Sequence, residues 1–284
     1  MSIFVVGSLH LDVVLSAPHL PALDETVTGT NVDYVFGGKG GNQALAAKRM
    51  GADVHFAGRV GQDRFGDMVL ETLQGSGMVL DQLQLDDGPT GMSAAIVDAT
   101  GGYGAVIVSA ANLNIDADLI SVPPGTTIVL LQNEIPEPVN VAIARKAKTA
   151  GAQVWLNAAP ARPLSKAMNE TLDLLIVNRV EAAFYNDALP DVDVLTTLGA
   201  DGATFHGRNH AAYAVEVIST HGAGDMFVGA LAAEVDRGAS IDQAIGQAQA
   251  AAALHVSSDL DARALIDWAA VDAFASHATS NTIV

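Results

Sequence analysis

Residues 219–231, STHGAGDMFVGAL, place three small residues directly before an acid at the start of an apolar run typical of a helix. Gly222, Ala223 and Gly224 would let the backbone N–H groups of that helix start approach an anion closely. Asp225 could then take a proton from a hydroxyl group attacking a phosphoryl group held there. A first-turn Asp can also stabilise the helix dipole by about 0.3–1 kcal/mol. Because that role does not explain the three small residues, the stretch predicts a catalytic base beside an anion-binding site.

A second glycine-rich stretch, GGKGGNQA at residues 37–44, comes before another helix-like run. Consecutive glycines let a ligand approach the backbone, and the amide of Asn42 can hydrogen-bond hydroxyl groups. A phosphate-binding P-loop is excluded, since Gly-x4-Gly-Lys-Ser/Thr does not fit and neither Ser nor Thr follows Lys39. A glycine-rich turn can also be only a tight connection between two elements, but Lys39 and Asn42 within it favour a ligand with hydroxyl groups.

Further polar side chains follow short apolar runs, and each has two interpretations. Asp12, with His10 beside it, could hold the vicinal hydroxyls of a sugar or cap a turn. Asn178 and Glu181 could organise Mg²⁺, which keeps most of its waters, or form the N-cap and first turn of a helix. Glu134 has the same two interpretations.

The elements that would position these side chains alternate along the chain. Apolar runs predict strands, and Ala-rich stretches, several ending at Gly, predict helices. This alternation favours a doubly wound α/β fold with a mostly parallel sheet and helices on both faces. The predicted strands are 3–8, 53–58, 126–133, 152–159, 172–178 and 192–199, and the predicted helices are 42–51, 138–151, 224–238 and 241–256.

Two regions, 11–36 and 90–109, interrupt this rhythm with alternating polar and apolar residues and with turn residues such as Gly101 and Gly102. They predict a small antiparallel sheet, and its insertion between α/β elements suits a lid over the ligand. We expect residues 1–284 to form a single domain with this lid.

Composition excludes some partners. The formal net charge of −18, from 14 basic and 32 acidic residues, argues against binding to nucleic acid, which requires clustered cations. The chain contains no apolar run of the length that spans a membrane, about 18 residues or more, and its first residues lack the basic region of a signal peptide. There are 0 cysteines, so disulfides are absent. We expect a cytoplasmic protein that binds neither membranes nor nucleic acid.

Five motifs in order make the sequence resemble the ribokinase-like (PfkB-type) family of carbohydrate kinases, from about residue 3 to about residue 256. Each motif alone is modest, and their order is specific. They are GGKGGNQA at 37–44, NAAPAR at 157–162, NRVE at 178–181, TLGADG at 197–202 and GAGD at 222–225.

The resemblance implies an ATP-dependent kinase that phosphorylates a primary hydroxyl of a pentose, with ribose the first candidate. A nucleoside kinase of the same fold remains an alternative, and so does a ligand-binding protein without turnover. ATP and Mg²⁺ are the implied cofactors, and the implied partner is a small sugar or nucleoside. A homodimer formed through the lid is a further expectation.

The resemblance also implies roles for matching positions. Asp225 would be the general base, and Gly222, Ala223 and Gly224 would form the anion hole. Glu181 would bind Mg²⁺ through water. The expected sugar-binding residues are His10, Asp12, Gly38, Lys39, Asn42 and Glu134, and the expected nucleotide-binding residues are Asn178, Thr197, Gly199 and Gly202.

Two departures from the family pattern carry consequences. His10 stands where the family has an Asn that contacts the sugar, which bears on acceptor choice. Ser219 stands where an Asp helps to bind a monovalent cation, and residues 255–264, HVSSDLDARA, lack the loop that completes that site. The implied activation by potassium is therefore doubtful.

Overall fold

The structure, a computed structural model, describes residues 1–99, 102–185 and 192–280. Its strands are β1 (Ser2–Val6), β2 (His10–Ala17), β3 (Asn31–Gly37), β4 (Val54–Gly61), β5 (Val79–Asp86), β6 (Met92–Asp98), β7 (Tyr103–Val108), β8 (Thr126–Gln132), β9 (Gln153–Asn157), β10 (Leu174–Asn178), β11 (Asp193–Thr197), β12 (Ala203–Phe205) and β13 (Arg208–His210). Its helices are α1 (Lys39–Arg49), α2 (Arg64–Gly75), α3 (Glu137–Ala150), α4 (Lys166–Asn169), α5 (Arg179–Tyr185), α6 (Ala223–Asp236), α7 (Ile241–Val256), α8 (Leu260–Ala264) and α9 (Trp268–Ser280).

The large sheet has the strand order β13-β12-β11-β10-β9-β8-β1-β4-β5. From β11 to β5 every neighbouring pair is parallel, and β12 and β13 add an antiparallel edge. The apolar runs lie in the middle of this sheet, where both faces are buried. The prediction of a doubly wound, mostly parallel sheet is confirmed.

Strand β1 shows how the two faces are covered. Its side chains alternate between two apolar clusters, as the two-residue period of a strand requires. Ile3 and Val5 pack into the cluster that includes residues of α1, α6 and α7, whereas Phe4 and Val6 pack into the cluster that includes residues of α3. Helices therefore cover both faces, and their N-termini meet the carboxyl ends of the strands at one edge.

The second sheet has the order β3-β2-β6-β7 and arises from the two regions predicted to form the lid. Its outer pairs, β3–β2 and β6–β7, are antiparallel. A parallel pairing of β2 with β6, in which Asp12 lies opposite Ser93, joins the two. Gly101 of the predicted turn lies outside the described residues.

Helix boundaries differ from the prediction mainly at α1, which begins at Lys39 rather than at residue 42. Gly38 is the N-cap with φ of 89°, a conformation that favours glycine, so the chain enters the helix earlier. Helix α2 and strand β5 had no predicted counterpart. Among the described residues, no helix is both long enough and apolar enough to span a membrane.

Candidate active site

The predicted site residues gather at the carboxyl edge of the large sheet, where open α/β sheets bind ligands. Asp225 lies in the first turn of α6, only 8% exposed. Two amides of α1 hold its carboxylate: Gln43 Nε2 donates to Oδ1 at 2.9 Å, and Asn42 Nδ2 donates to Oδ2 at 3.4 Å. The first turns of α1 and α6 thus meet at this carboxylate.

A buried amide chain orients Gln43 for this contact. The same Nε2 donates to Oδ1 of Asn157 at 2.9 Å, and Gln43 Oε1 accepts from Nε2 of Gln132 at 3.0 Å. Gln43 itself has 0% exposure. Because buried polar networks allow few alternative arrangements, the orientation of the Asp225 carboxylate is well defined.

Charges concentrate around Asp225. Burial raises the pKa of Asp225, although the positive charge of Lys39 and the amide hydrogen bonds oppose this rise. For Lys39, burial alone would lower the pKa, but the carboxylates of Asp225, Glu134 and Glu181 raise it overall. The site therefore combines a carboxylate of raised basicity with a cation that stays charged at neutral pH.

The start of α6 offers backbone donors to a ligand. Its N-cap, Gly222, has φ of 78°, and within the described chain no side chain accepts a hydrogen bond from the first N–H groups of this helix. A Cβ added to Gly224 would meet no atom of the described structure within 4 Å. This open space next to uncapped N–H groups is suited to an anion.

Glu134 ties the end of β8 to the start of α1. Its Oε2 accepts hydrogen bonds from Ser8 Oγ at 2.5 Å and from the backbone N–H of Lys39 at 2.8 Å. Ser8 also accepts from the N–H of Gly40 at 3.3 Å. This carboxylate therefore helps to shape the loop that contains Gly38 and Lys39.

Asp12 lies on β2 of the small sheet and is 7% exposed. Its Oδ1 accepts from Ser93 Oγ at 2.6 Å, and its Oδ2 lies 3.8 Å from Nε2 of His221, in the loop before α6. A Cβ at Gly37 would lie 2.2 Å from Asp12 Oδ2, so a larger residue there would displace this carboxylate. His10 lies two residues earlier, 3% exposed, and its Nε2 has no hydrogen-bond partner among the described residues.

Asn178 and Glu181 form a reciprocal helix cap at the start of α5. The backbone N–H of Glu181 donates to Asn178 Oδ1 at 2.9 Å, and Glu181 Oε2 accepts from the backbone N–H of Asn178 at 2.7 Å. Burial raises the pKa of Glu181, while the Asn178 hydrogen bond and the charge of Lys39 lower it. The capping interpretation is realised, and binding of Mg²⁺ through water stays a prediction.

The predicted nucleotide-binding residues lie further along the same edge. Thr197, at the end of β11, is the register partner of Asn178. Gly199 and Gly202 follow in the next turn, with φ of 63° and 92°. The structure thus brings these residues beside Asn178, whose strand β10 pairs with β9, the strand that ends at Asn157.

A cavity of about 350 Å³ opens beside Asp225. Its lining includes Asn42, Gly222, Asp225 and Arg263, together with residues 34–36 of β3 in the small sheet. Among the described residues, no group of three or more His, Asp or Glu side chains could hold a metal ion.

Sequence reasoning missed Gln43, which forms the shorter of the two amide contacts to Asp225. Its position directly after Asn42 was the available signal. Consecutive helix residues point in different directions, so only the packing of α1 against α6 could show that both amides reach Asp225.

Comparison with known proteins defines the class. Residues 1–266 match the pfkB family carbohydrate kinases, so the chain belongs to this family, as the five motifs predicted. A ribokinase of Bacillus subtilis is 32% identical over 273 residues, covering 90% of this chain and 93% of that protein.

Solved structures agree with this family. The crystal structure of a ribokinase from Thermotoga maritima matches with a TM-score of 0.89 and 27% identity, covering 97% of this chain and 99% of that chain. An Arabidopsis thaliana ribokinase complexed with ribose and ATP matches with a TM-score of 0.86 and 28% identity, covering 96% of this chain and 98% of that chain.

Proposed function

We propose that this carbohydrate kinase transfers the γ-phosphoryl group of ATP to the primary hydroxyl of a pentose, with ribose the first candidate. The observation that carries the proposal is the buried carboxylate of Asp225 at the uncapped N-terminus of α6, held by Asn42 and Gln43. Ribose as the acceptor is supported by the relatives named ribokinase.

Asp225 would act as the general base. Its carboxylate takes the proton from the acceptor hydroxyl as the hydroxyl oxygen forms a bond to the γ-phosphorus and the bond to the ADP oxygen breaks. Burial raises the pKa of this carboxylate, which strengthens it as a base. Lys39, whose pKa is raised, supplies a nearby positive charge.

The transferred group carries negative charge that needs donors. The N–H groups of Gly224 and Asp225 lie at the positive end of the α6 dipole and suit this charge, whereas the N–H of Ala223 already donates to the carbonyl of Thr220 at 3.2 Å. Mg²⁺, when bound, would neutralise phosphate oxygens. The buried carboxyl group of Glu181, beside Asn178, is the candidate to hold it through water. The remaining nucleotide contacts are proposed for Thr197, Gly199 and Gly202.

Sugar hydroxyls would meet a polar wall on the opposite side. Asp12 and Glu134 are acceptors, whereas Lys39 and Asn42 are donors, and Gly38 allows close approach of the backbone. The lid would exclude water from this space, since Asp12 reaches within 3.8 Å of His221 in the loop before α6.

The test is ATP turnover against a panel of pentoses, hexoses and nucleosides with the purified protein. Ribose is expected to give the largest kcat/KM, with phosphate on its primary hydroxyl. A larger kcat/KM for nucleosides would replace ribose with a nucleoside as the acceptor. No ADP formation with any member would contradict the proposed kinase activity.

His10 is proposed to set acceptor preference. Its buried Nε2 lacks a partner among the described residues, so a substrate hydroxyl could satisfy it. The variant His10→Asn, measured on the same panel, should change the ranking of ribose against the other sugars and nucleosides. An unchanged ranking would show that His10 only packs beneath the lid.

Dimerisation and location remain proposals as well. The outer lid strands expose apolar side chains, including Tyr34, Val106 and Ile107, and this surface supports a homodimer formed through the lid. Sedimentation of the wild type and of Val106→Asp tests it, because the charged variant should be monomeric if the lid is the interface. A cytoplasmic location is supported by the use of ATP as the donor.

A further inference from the structure

A buried arginine joins three segments behind the start of α6. Arg263, in α8, is 7% exposed. Its guanidinium donates from Nη2 to the carbonyl of Ser219 at 2.8 Å and from Nη1 towards that of His221 at 3.5 Å. Its Nε donates to the carbonyls of His255 at 2.9 Å and Ser258 at 3.1 Å. One side chain therefore holds the loop before α6, the end of α7 and the turn before α8.

Converging carbonyls are the ligands that a monovalent metal ion would need, and the family resemblance implies such an ion here. The carbonyls around Arg263 do not fit a monovalent metal ion. The carbonyls of Ser219, His221, His255 and Ser258 are directed at a guanidinium that already carries a positive charge. The side chain at position 219 is neutral, so it offers no charge to attract a second cation.

Neighbouring groups also disfavour a metal ion beside Arg263. His255 donates through Nε2 to the same carbonyl of His221, at 2.8 Å. Arg49 is close enough to donate to the carbonyl of Arg263 at 3.4 Å. Burial lowers the pKa of His255 most, and the positive charges of Arg263 and Arg49 lower it further, whereas the hydrogen bond to the carbonyl of His221 opposes this. A metal ion would enter a place that is already cationic.

The loop that Arg263 holds leads directly into the proposed anion hole. Gly222 follows His221 and is the N-cap of α6, with φ of 78°. A shift of the Ser219 or His221 carbonyl would therefore tilt the first N–H groups of α6, and with them Asp225. Misplacement of reacting groups by about 1 Å can cost about 10²-fold in rate.

We propose that Arg263 is a built-in cation that occupies the place of a monovalent metal ion and positions the anion-hole loop for phosphoryl transfer. The proposal rests on the proposed function for its kinetic consequence. Arg263 is a positioning residue, since its guanidinium acts through the carbonyls of Ser219 and His221, although its side chain also lines the cavity beside Asp225. The kinase should accordingly work without potassium.

The first experiment compares kcat in sodium, potassium and choline salts. For the wild type, kcat should agree within about twofold among the three salts, because the guanidinium stays charged at every working pH. Strong stimulation by potassium would overturn the proposal, whatever the variants do.

The second experiment uses Arg263→Ala, with Arg59→Met as the control, since Arg59 pairs with Asp86 away from this site. Arg263→Ala should lower kcat about tenfold or more, with a smaller change in the KM for the sugar. Potassium or millimolar guanidinium should restore part of kcat, because the vacated carbonyls can bind either cation. Arg59→Met should show no rescue. A folded Arg263→Ala with wild-type kcat would overturn the proposal.

A third readout does not depend on turnover. The Tm of Arg263→Ala should rise on adding potassium or guanidinium at concentrations too low to affect the wild type or Arg59→Met. If no sugar or nucleoside is phosphorylated, the proposed function fails, while this Tm shift still decides whether Arg263 replaces a cation. If Arg263→Ala does not fold, Arg263→Lys is used instead. The ammonium group of lysine is a point charge and cannot contact all four carbonyls, so kcat should fall. Guanidinium should not restore kcat in this variant, because the lysine side chain still occupies the place.

Discussion

Helices α6 and α7 follow one another along the chain, yet their first turns are built in opposite ways. At α7, Ser240 and Gln243 form a capping box, in which the Ser240 side chain accepts from the N–H of Gln243 and the Gln243 side chain accepts from the N–H of Ser240 at 3.0 Å. At α6, the cap is Gly222, without a side-chain acceptor in the described chain. Asp225 occupies the same helical position as Gln243.

The two helices differ in the direction in which the side chain of this third helical residue points. The Gln243 side chain returns to its own helix start, whereas the Asp225 carboxylate points to Asn42 and Gln43 of another helix. Helix α5 combines features of both helices: Glu181 caps its own helix, as Gln243 does, but it lies at the same edge of the sheet as Asp225. A satisfied cap stabilises a helix by about 1 kcal/mol. Leaving α6 without one makes its donors available to a ligand.

The largest expected effect comes from Asp225→Asn. An amide cannot accept the proton, so kcat should fall by about 10²–10⁴-fold. Gln243→Ala changes the same helical position of α7 and should leave kcat unchanged. Steady-state kinetics at saturating ATP and sugar measure both variants. A kcat near the wild-type value for Asp225→Asn would refute the assignment of the base.

The same substitution has an opposite consequence for stability. Because the folded-state pKa of Asp225 is raised, the stabilising contribution of this group is present below its unfolded value of about 3.8 and is lost as pH rises through the folded value. Asp225→Asn should therefore be at least as stable as the wild type at neutral pH. Denaturant unfolding measures this, and a large loss of stability would mean that the kinetic defect reports misfolding.

The pH profile of kcat/KM is the next sharpest test of the comparison. Only ionised Asp225 can act, so kcat/KM should fall on the acid side, by about tenfold per pH unit below its raised pKa. Burial raises the pKa of Glu181 too. The profile of Glu181→Gln separates the two carboxylates, since the acid limb should persist in that variant. If the acid-side fall of kcat/KM disappears in Glu181→Gln, the group whose ionisation causes it is Glu181 rather than Asp225.

Gly224→Ala separates ligand binding from helix stability. Alanine is favoured over glycine within a helix by about 1 kcal/mol, and the added Cβ meets no atom of the described structure. If phosphate occupies this space, kcat should nevertheless fall by about tenfold or more, as when a donor of an oxyanion hole is lost. Gly246→Ala in α7, whose Cβ would also meet no described atom, is the control and should retain full kcat. Equal kcat for the two variants would place the phosphate elsewhere.

Ser240→Ala is expected to have the smallest effect. Loss of the α7 cap should lower the free energy of unfolding by about 1 kcal/mol while kcat and both KM values stay unchanged. Chemical denaturation and kinetics on one preparation measure the two quantities. A clear fall in kcat would mean that α7, through its contacts with α6, also positions the site.

The sequence by itself predicted the central strands, the helices that carry Asn42 and Asp225, and the chemistry proposed for the site. Buried strands such as β1 and β8 were evident because a strand covered on both faces needs a nearly continuous apolar run. The GAGD motif indicated a base beside an anion hole because small residues and a first-turn acid do this locally, through the backbone of one helix. These features involve residues close together in the chain, so composition and spacing reveal them.

Only the tertiary structure decided which distant groups meet. Gln43 reaches Asp225 across 182 positions of the chain, and Arg263 reaches Ser219 across 44. Nothing in the spacing of HVSSDLDARA shows that its arginine turns inward to a cluster of carbonyls. The pair Asn178 and Glu181 could equally have been a cap or a pair of ligands, until the geometry showed the cap. Such contacts depend on how helices pack on the sheet, because side-chain direction and burial arise from the whole fold rather than from local sequence.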